Sequence, residues 1–208
     1  MAETQLAPAV SVSDEWTLRG FAAVLLENSR LRTTILPGHG TKVWEFSSKR
    51  AGRDLLYHHP RFDVRPPVFG LNVDDWWTGG IDEVAPTGHP CVVGGEQLPN
   101  LGEFWSQPWR HEIEASGPDV ARVHFSAGGV ISPLRIDRWM ELRPDEPFVR
   151  SRHRLTNVGF EPFDFRSMAA GGACTWPPSK VDGLSGATRQ GDRRRAATSS
   201  GAGADGRD

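Results

Sequence analysis

Short segments in which apolar and polar side chains alternate recur along this chain, with turn residues between them. Residues 120–125 (VARVHF) and Leu134–Leu142 (LRIDRWMEL) place most of their apolar side chains at every second position. Because successive side chains of a β-strand point to opposite faces, this alternation predicts strands that are buried on one side. Helical periodicity is almost absent. Successive short strands joined by turns predict an all-β fold, a large antiparallel β-sandwich.

A β-hairpin is predicted early in this pattern. Leu31–Leu36 (LRTTIL) ends at a proline, and two glycines bracket a turn. Residues 41–46 (TKVWEF) follow, with Lys42, Trp44 and Phe46 on one face of the second strand. Proline and glycine in this order favour a turn between two strands.

Three arginines occupy alternate positions in a later segment, residues 148–156 (FVRSRHRLT). A strand places Arg150, Arg152 and Arg154 on one face, whereas a helix would scatter them. We interpret the row as a solvated sheet face. The preceding residues 144–147 (PDEP) predict a turn, because proline presets φ and aspartate tolerates tight geometry.

Residues 76–110 hold four of the eight tryptophans among carboxylates, a histidine, glycines and prolines. Glycine and proline at this density do not sustain a long helix, so the segment is predicted as ordered loop with short strands. Indole faces stack on the C–H face of a sugar ring, while carboxylates and imidazole bind its hydroxyls. The segment suits the lining of a sugar pocket, although each tryptophan taken singly can equally fill a core.

Length and charge are those of a one-domain soluble protein, with 208 residues and a formal net charge of −2. The near-neutral charge argues against nucleic acid and anionic membrane as partners. Neither a membrane-spanning run nor a secretory signal is evident, so a cytoplasmic location is expected. Cys91 and Cys174 lie far apart in sequence, and no disulfide is expected.

The strand pattern stops after residue 165. From residue 171 onward the large apolar side chains are Trp176, Val181 and Leu184, too few to offset the ordering entropy of the segment. We expect a flexible N-terminus over residues 1–15, a partial sandwich over residues 16–168 and a disordered tail over residues 169–208. A natural linker and a frame shift in a GC-rich gene both account for the tail. The second explanation leaves the C-terminal part of the sandwich incomplete.

Four segments follow one another in a distinctive order: residues 26–46, then 79–89 (GGIDEVAPTGH), then 98–113 (LPNLGEFWSQPWRHEI), then 138–165. Together they resemble an uncharacterised branch of the galactose mutarotase-like, or aldose 1-epimerase-like, family, over roughly residues 16–165. The resemblance implies a supersandwich fold. It also implies a cofactor-independent isomerase that interconverts the anomers of a small-molecule sugar by acid and base catalysis.

The chain departs from that family at its proton-transfer residues. Mutarotases use a histidine as general acid and a glutamate near the C-terminus as general base. Leu101 stands where relatives place a histidine, no histidine follows His153, and the last glutamate is Glu161. The catalytic residues are therefore unassigned. A non-catalytic sugar-binding protein and an inactive truncated fragment stay open as alternatives, and Asp74 beside Asp75 supports a glycosidase-related protein as a further one.

Seven residues are predicted to contact the sugar, from the polar and aromatic pattern and from the family's central loop. They are Trp77, Asp82, Glu83, His89, Glu103, Trp105 and Arg110. A solvated turn is an equal reading for Asp82 and Glu83, a loop histidine is the favoured one for His89, and Arg110 also fits the start of a strand. No metal site or other cofactor is expected, since the histidines and cysteines lack zinc spacing.

Overall fold

The computed structural model describes residues 9–171, apart from the side chain of Ala170. Within this range the chain forms thirteen strands, one short helix and two 3-10 turns. The strands are β1 (Val10–Leu18), β2 (Phe21–Asn28), β3 (Leu31–Leu36), β4 (Lys42–Ser48), β5 (Arg53–Asp54), β6 (Ile81–Val84), β7 (Cys91–Val93), β8 (Glu96–Leu98), β9 (Arg110–Ser116), β10 (Ala121–Gly128), β11 (Leu134–Leu142), β12 (Arg150–Asn157) and β13 (Met168–Gly171). Helix α1 (Val73–Trp76) lies between β5 and β6, and the 3-10 turns are Pro37–His39 and Phe104–Ser106.

The strands form two main antiparallel sheets and a small hairpin. The larger sheet has seven strands in the order β1-β2-β3-β4-β6-β13, with β5 also pairing with β4. The second sheet has the order β12-β11-β10-β9, and β7 pairs with β8 alone. The prediction of an all-β antiparallel sandwich is confirmed. None of the helices in the described range is long and apolar enough to cross a membrane.

The main core fills the space between the two sheets. Alternate side chains of the seven-stranded sheet, such as Leu26 and Ile35, pack with Phe125 and Ile136 of the four-stranded sheet. All four are completely buried. Burial of each such side chain stabilises the fold by roughly 1.5–3 kcal/mol, which makes this layer the main source of stability.

A smaller apolar cluster lies on the opposite, outer face of the seven-stranded sheet. It consists of Ala23, Leu36, Trp44 and Val64. Val64 belongs to the long connection between β5 and β6, which crosses this face and carries α1. The outer face of β4 and β6 is therefore covered by chain and excluded from water, and it is here that the candidate site lies.

The predicted hairpin and strands are present, with small shifts at their ends. Leu31–Leu36 pairs with β4 across the Pro37–His39 turn, and Leu134–Leu142 is a strand with the predicted bounds. The arginine row on β12 is exposed, as expected for a solvated face.

The structure has strands beyond two of the predicted boundaries. The first strand begins at Val10, inside the segment 1–15 predicted as flexible, because Val10 and Val12 are buried in the main core. At the other end β13 pairs with β6 from Met168 to Gly171, which extends order into the segment predicted as a disordered tail. Residues 172–208, which include Cys174, lie outside the described range, so the rest of that prediction stays a prediction.

Candidate functional site

Lys42 and Asp82 form a buried ion pair on the outer face of the seven-stranded sheet. The pairing of Val43 with Ile81 sets their positions, because it turns the preceding and following side chains outward together. Lys42 Nζ donates to Asp82 Oδ2 at 2.6 Å and to the Gly79 carbonyl at 2.7 Å. Burial lowers the pKa of Lys42 and raises the pKa of Asp82, and in each case the charge of the partner acts against that shift.

The glycine pair before β6 allows the chain to approach closely here. Gly79 has φ 127°, and a Cβ on it would lie 2.3 Å from the Tyr57 carbonyl oxygen. A Cβ on Gly80 would lie 2.6 Å from the Val43 carbonyl oxygen. A side chain at either position would push the strands apart. The glycines therefore hold the Gly79 carbonyl within reach of Lys42.

Three tryptophans and the ion pair line a small cavity beneath the β5–β6 connection. Its volume is about 20 Å³, and its walls include Trp76, Trp77, Trp105, Lys42 and Asp82. We call it the indole cavity. A space of roughly 10–15 Å³ holds one water molecule, so the indole cavity accepts a single oxygen-sized group.

Four residues that line the indole cavity carry a buried polar atom without a hydrogen-bond partner among the described residues. These atoms are His39 Nδ1, Arg65 Nε, Asp82 Oδ1 and Trp105 Nε1. His39 Nε2 bonds to the Arg65 carbonyl at 3.0 Å, so Nε2 carries the hydrogen and Nδ1 is an acceptor. Burial lowers the pKa of His39, which favours this neutral form. The set thus comprises two acceptors and two donors.

Aromatic and cationic contacts hold the segment that covers the indole cavity. The guanidinium of Arg65 lies 4.2 Å from the centre of the Trp76 ring. Trp76 Nε1 donates to the Pro66 carbonyl at 2.9 Å, and Trp77 stacks on Tyr57. These contacts all come from the β5–β6 connection and α1. The β5–β6 connection, which covers the indole cavity, is therefore held by contacts among its own residues.

An open groove lies near the same helix. Its volume is about 610 Å³, and its polar lining is supplied by Asn72, Asp74, His89, Gln97 and Asn100. We call it the polar groove. Asn100 Nδ2 donates to Asp74 Oδ2 at 3.2 Å, which orients the carboxylate. Helix α1 contributes Asp74 to the polar groove and Trp76 to the indole cavity.

The structure brings Trp77, Asp82 and Trp105 of the predicted set together around the indole cavity. His89 lies apart from them, exposed in the polar groove. Arg110 is exposed at the first position of β9, in keeping with the strand-start alternative. The neighbouring Trp109 is buried in the main core and donates to the Phe104 carbonyl.

Glu103, also predicted to contact the sugar, has both carboxylate oxygens bonded within the protein. Its carboxylate is fully buried and accepts four hydrogen bonds from the turn between β10 and β11. Oε2 accepts from the backbone N–H groups of Val130 and Ile131 at 2.6 and 2.7 Å. Oε1 accepts from the Ser132 backbone N–H at 2.9 Å and from its hydroxyl at 2.5 Å. With both oxygens hydrogen-bonded, Glu103 anchors the turn between β10 and β11.

Glu83 follows Asp82 in β6 and therefore points to the inner face of the sheet, away from the indole cavity. Its Oε2 lies 2.9 Å from His153 Nε2 on the four-stranded sheet and 3.7 Å from an Arg138 nitrogen. Arg138 also donates to the hydroxyl and carbonyl oxygens of Thr41. Glu83, predicted to contact the sugar, thus forms a polar link between the two sheets.

Sequence reasoning missed Lys42, His39 and Arg65. The signal for Lys42 was present, because the hairpin pattern places it on the same face as Trp44, where a charge needs a partner. His39 and Arg65 gave no comparable signal, since their positions depend on how the β5–β6 connection crosses the sheet. Among residues 9–171 no cluster of three or more histidine, cysteine or acidic side chains is arranged to hold a metal ion.

No known protein-family model matches the chain. Among solved structures it is similar to part of a TPR-domain containing protein from Parabacteroides distasonis ATCC 8503, with 18% identity and a TM-score of 0.54, over 71% of this chain and 23% of that one. It is also similar to HI1317, with 16% identity and a TM-score of 0.46, over 75% of this chain and 50% of that one. A third likeness is to the 4-alpha-glucanotransferase from Thermococcus litoralis, with 19% identity and a TM-score of 0.46, over 74% of this chain and 27% of that one. The chain spans half or less of each of these proteins, and at such identities the likeness concerns the fold alone.

Proposed function

We propose that the chain is a carbohydrate-binding protein that takes a hydroxyl group of its ligand into the indole cavity. The observation that carries this proposal is the set of unpaired buried atoms, two acceptors and two donors, around a space for one oxygen. A hydroxyl both donates and accepts hydrogen bonds, so it matches such a set better than a cation or an anion does. A buried polar atom left without a hydrogen bond costs about 1–3 kcal/mol, so a group that enters the indole cavity must satisfy these atoms.

The tryptophans support the same class of ligand. Trp76 and Trp77 line the indole cavity, and both side chains are partly exposed. Indole faces supply contact area for the C–H side of a sugar ring, while the polar atoms below fix its orientation. A ring is too large for the cavity itself. It therefore lies outside, with one hydroxyl directed inward.

The resemblance to aldose 1-epimerases supports interconversion of sugar anomers as the activity of such a site. That reaction requires one group that receives a proton and one that gives it. Burial raises the pKa of Asp82 and lowers the pKa of His39, which moves the proton affinities of the carboxylate and the imidazole toward each other. Both line the indole cavity, where an anomeric hydroxyl would enter.

Tryptophan fluorescence during titration with a panel of common mono- and disaccharides tests binding. We expect at least one sugar to change the emission, and the change to be lost in Asp82→Asn and Trp105→Phe. The control is Trp139→Phe, which removes an indole from the four-stranded sheet and leaves the response in place. If no sugar changes the emission of the unmodified protein, the proposed function is wrong.

Polarimetry on freshly dissolved glucose and galactose tests the activity separately. A mutarotation rate above that of buffer, reduced in Asp82→Asn, supports catalysis. A rate equal to that of buffer together with a fluorescence response identifies a binding protein without epimerase activity.

A further inference from the structure

We infer that the ligand is a neutral oligosaccharide, bound across α1 with one part in the polar groove and a hydroxyl of another part in the indole cavity. This inference rests on the proposed function, because it extends the same site. It names the class of carbohydrate, which the indole cavity alone does not.

The polar groove and the indole cavity lie on different sides of α1. Asp74 lines the polar groove and Trp76 lines the indole cavity, and both belong to α1. Residues two positions apart on an α-helix are separated by roughly 200° around its axis, so the two spaces lie on different sides of the turn. A ligand that contacts both must pass around the turn and therefore extend over more than about 10 Å, the diameter of a helix with its side chains. A single pyranose ring is too short for that.

The polar groove has the size and the mixed polar and apolar lining of a small-molecule site. Its volume of about 610 Å³ falls within the range of about 300–1,000 Å³ typical of small-molecule sites. Amide, carboxylate and imidazole side chains line it, and together they offer both donors and acceptors to neighbouring hydroxyl groups. The Leu98 side chain and two prolines, Pro90 and Pro99, add apolar surface for the C–H faces of a sugar.

The charged lining of the polar groove bears on the charge of the ligand. Among the described residues that line the polar groove there is no lysine or arginine, and Asp74 is the acidic one. A phosphorylated or carboxylated sugar would approach this carboxylate without a compensating cation. The groove therefore favours a neutral glycan over an anionic one.

Hydrogen bonds and a cation-π contact hold Asp74 and Trp76 in place. Asn72 caps α1 by accepting a hydrogen bond from the Asp74 backbone N–H, and Asn100 holds the Asp74 side chain from the far wall. Trp76 is held by the Pro66 carbonyl and by Arg65. The two contact points are thus fixed relative to each other before a ligand arrives, which lowers the entropic cost of binding a long ligand.

Isothermal titration calorimetry on the full chain tests the inference. The probes are glucose with maltose-series oligomers of two to five units, and galactose with β-1,4-linked galacto-oligomers. We expect the affinity to rise about tenfold or more between the monosaccharide and one of its oligomers, as one or two added hydrogen bonds allow. His89→Ala and Gln97→Ala should lower the ratio of oligomer to monosaccharide affinity by about two- to tenfold. Glu96→Gln, in the same hairpin but outside the groove lining, is the matched control and should keep the ratio.

The outcomes separate the two proposals. If oligomers and monosaccharides bind with equal affinity, or if both groove variants keep the ratio of the unmodified protein, the oligosaccharide inference is overturned while sugar binding stands. If neither series binds and no sugar in the fluorescence panel gives a response, the proposed function itself fails. Circular dichroism of each variant verifies that a loss of affinity does not come from unfolding.

Discussion

The ammonium group of Lys42 and the carboxylate of Asp82 lie 2.6 Å apart, and both side chains are more than nine-tenths buried. Such a pair is costly to divide, because either charge left alone remains in a medium that solvates it poorly. Asp82→Ala should therefore lower the free energy of unfolding by about 3–5 kcal/mol. Urea denaturation followed by tryptophan fluorescence measures the change.

The double variant Lys42→Met/Asp82→Asn serves as the control for this prediction. It removes both charges and keeps similar side-chain volumes, so most of the lost stability should return. A double variant as unstable as Asp82→Ala would show that the loss arises from packing and not from the divided ion pair.

Acid should weaken the fold through His39. Burial lowers its pKa in the folded state, whereas an unfolded chain protonates this imidazole at about pH 6.5. Between these two pKa values the unfolded chain binds more protons, so stability falls as the pH drops. The contribution of His39 is fully present above about pH 6.5 and is lost as the pH falls through its folded-state pKa.

The measurement for this prediction is a series of urea titrations from about pH 8 to about pH 5, with the unmodified protein and His39→Gln side by side. The difference in unfolding free energy between the two should move in favour of the variant as the solution is acidified. A difference that stays constant over the whole series would contradict a buried neutral His39.

Glu103→Gln should destabilise the protein by about 3 kcal/mol or more. The substitution turns one oxygen into an NH₂ group that faces backbone donors of the β10–β11 turn, and at least one buried N–H then loses its partner. Thermal unfolding monitored by circular dichroism would reveal the loss. Glu96→Gln, an exposed isosteric change, should leave the transition where it is, and equal effects of the two changes would rule out the anchoring role.

Gly79→Ala should cost about 1–3 kcal/mol from its positive φ alone, with more from the contact to the Tyr57 carbonyl. It should also disturb the carbonyl that accepts from Lys42, so the sugar-induced change in fluorescence should weaken. Gly88→Ala is the matched control, because its Cβ would meet no atom within 4 Å. Similar stability of the two variants would contradict the close approach at Gly79.

The fold could be predicted because its evidence is local. Each strand of the four-stranded sheet buries one side, and Val123 and Ile136 reveal that face through the two-residue period of their segments. The density of tryptophan in one segment likewise indicated that Trp77 and Trp105 lie close together. Contacts between segments far apart in the sequence could not be predicted. Nothing near Glu103 in sequence indicates that its partners lie at residues 130–132.

The separation of Asp82 from Glu83 illustrates a second limit. The segment was predicted as loop with short strands, and in a loop two adjacent carboxylates can serve one ligand. Once residues 81–84 are a strand, the same two side chains must diverge. Both residues are visible in the sequence, but the pairing of Ile81 with Val43 is not. That pairing determines which of the two carboxylates faces the β5–β6 connection.

Because these two side chains diverge, polar contacts on both faces of the sheet determine the register of β6. One carboxylate meets Lys42 on the outer face, and the next meets His153 and Arg138 on the inner face. A slip of β6 by one residue would exchange the two faces and separate both acids from their cations at once. Misaligned pairings of this strand are thus penalised twice, so the ladder that carries the site admits a single alignment.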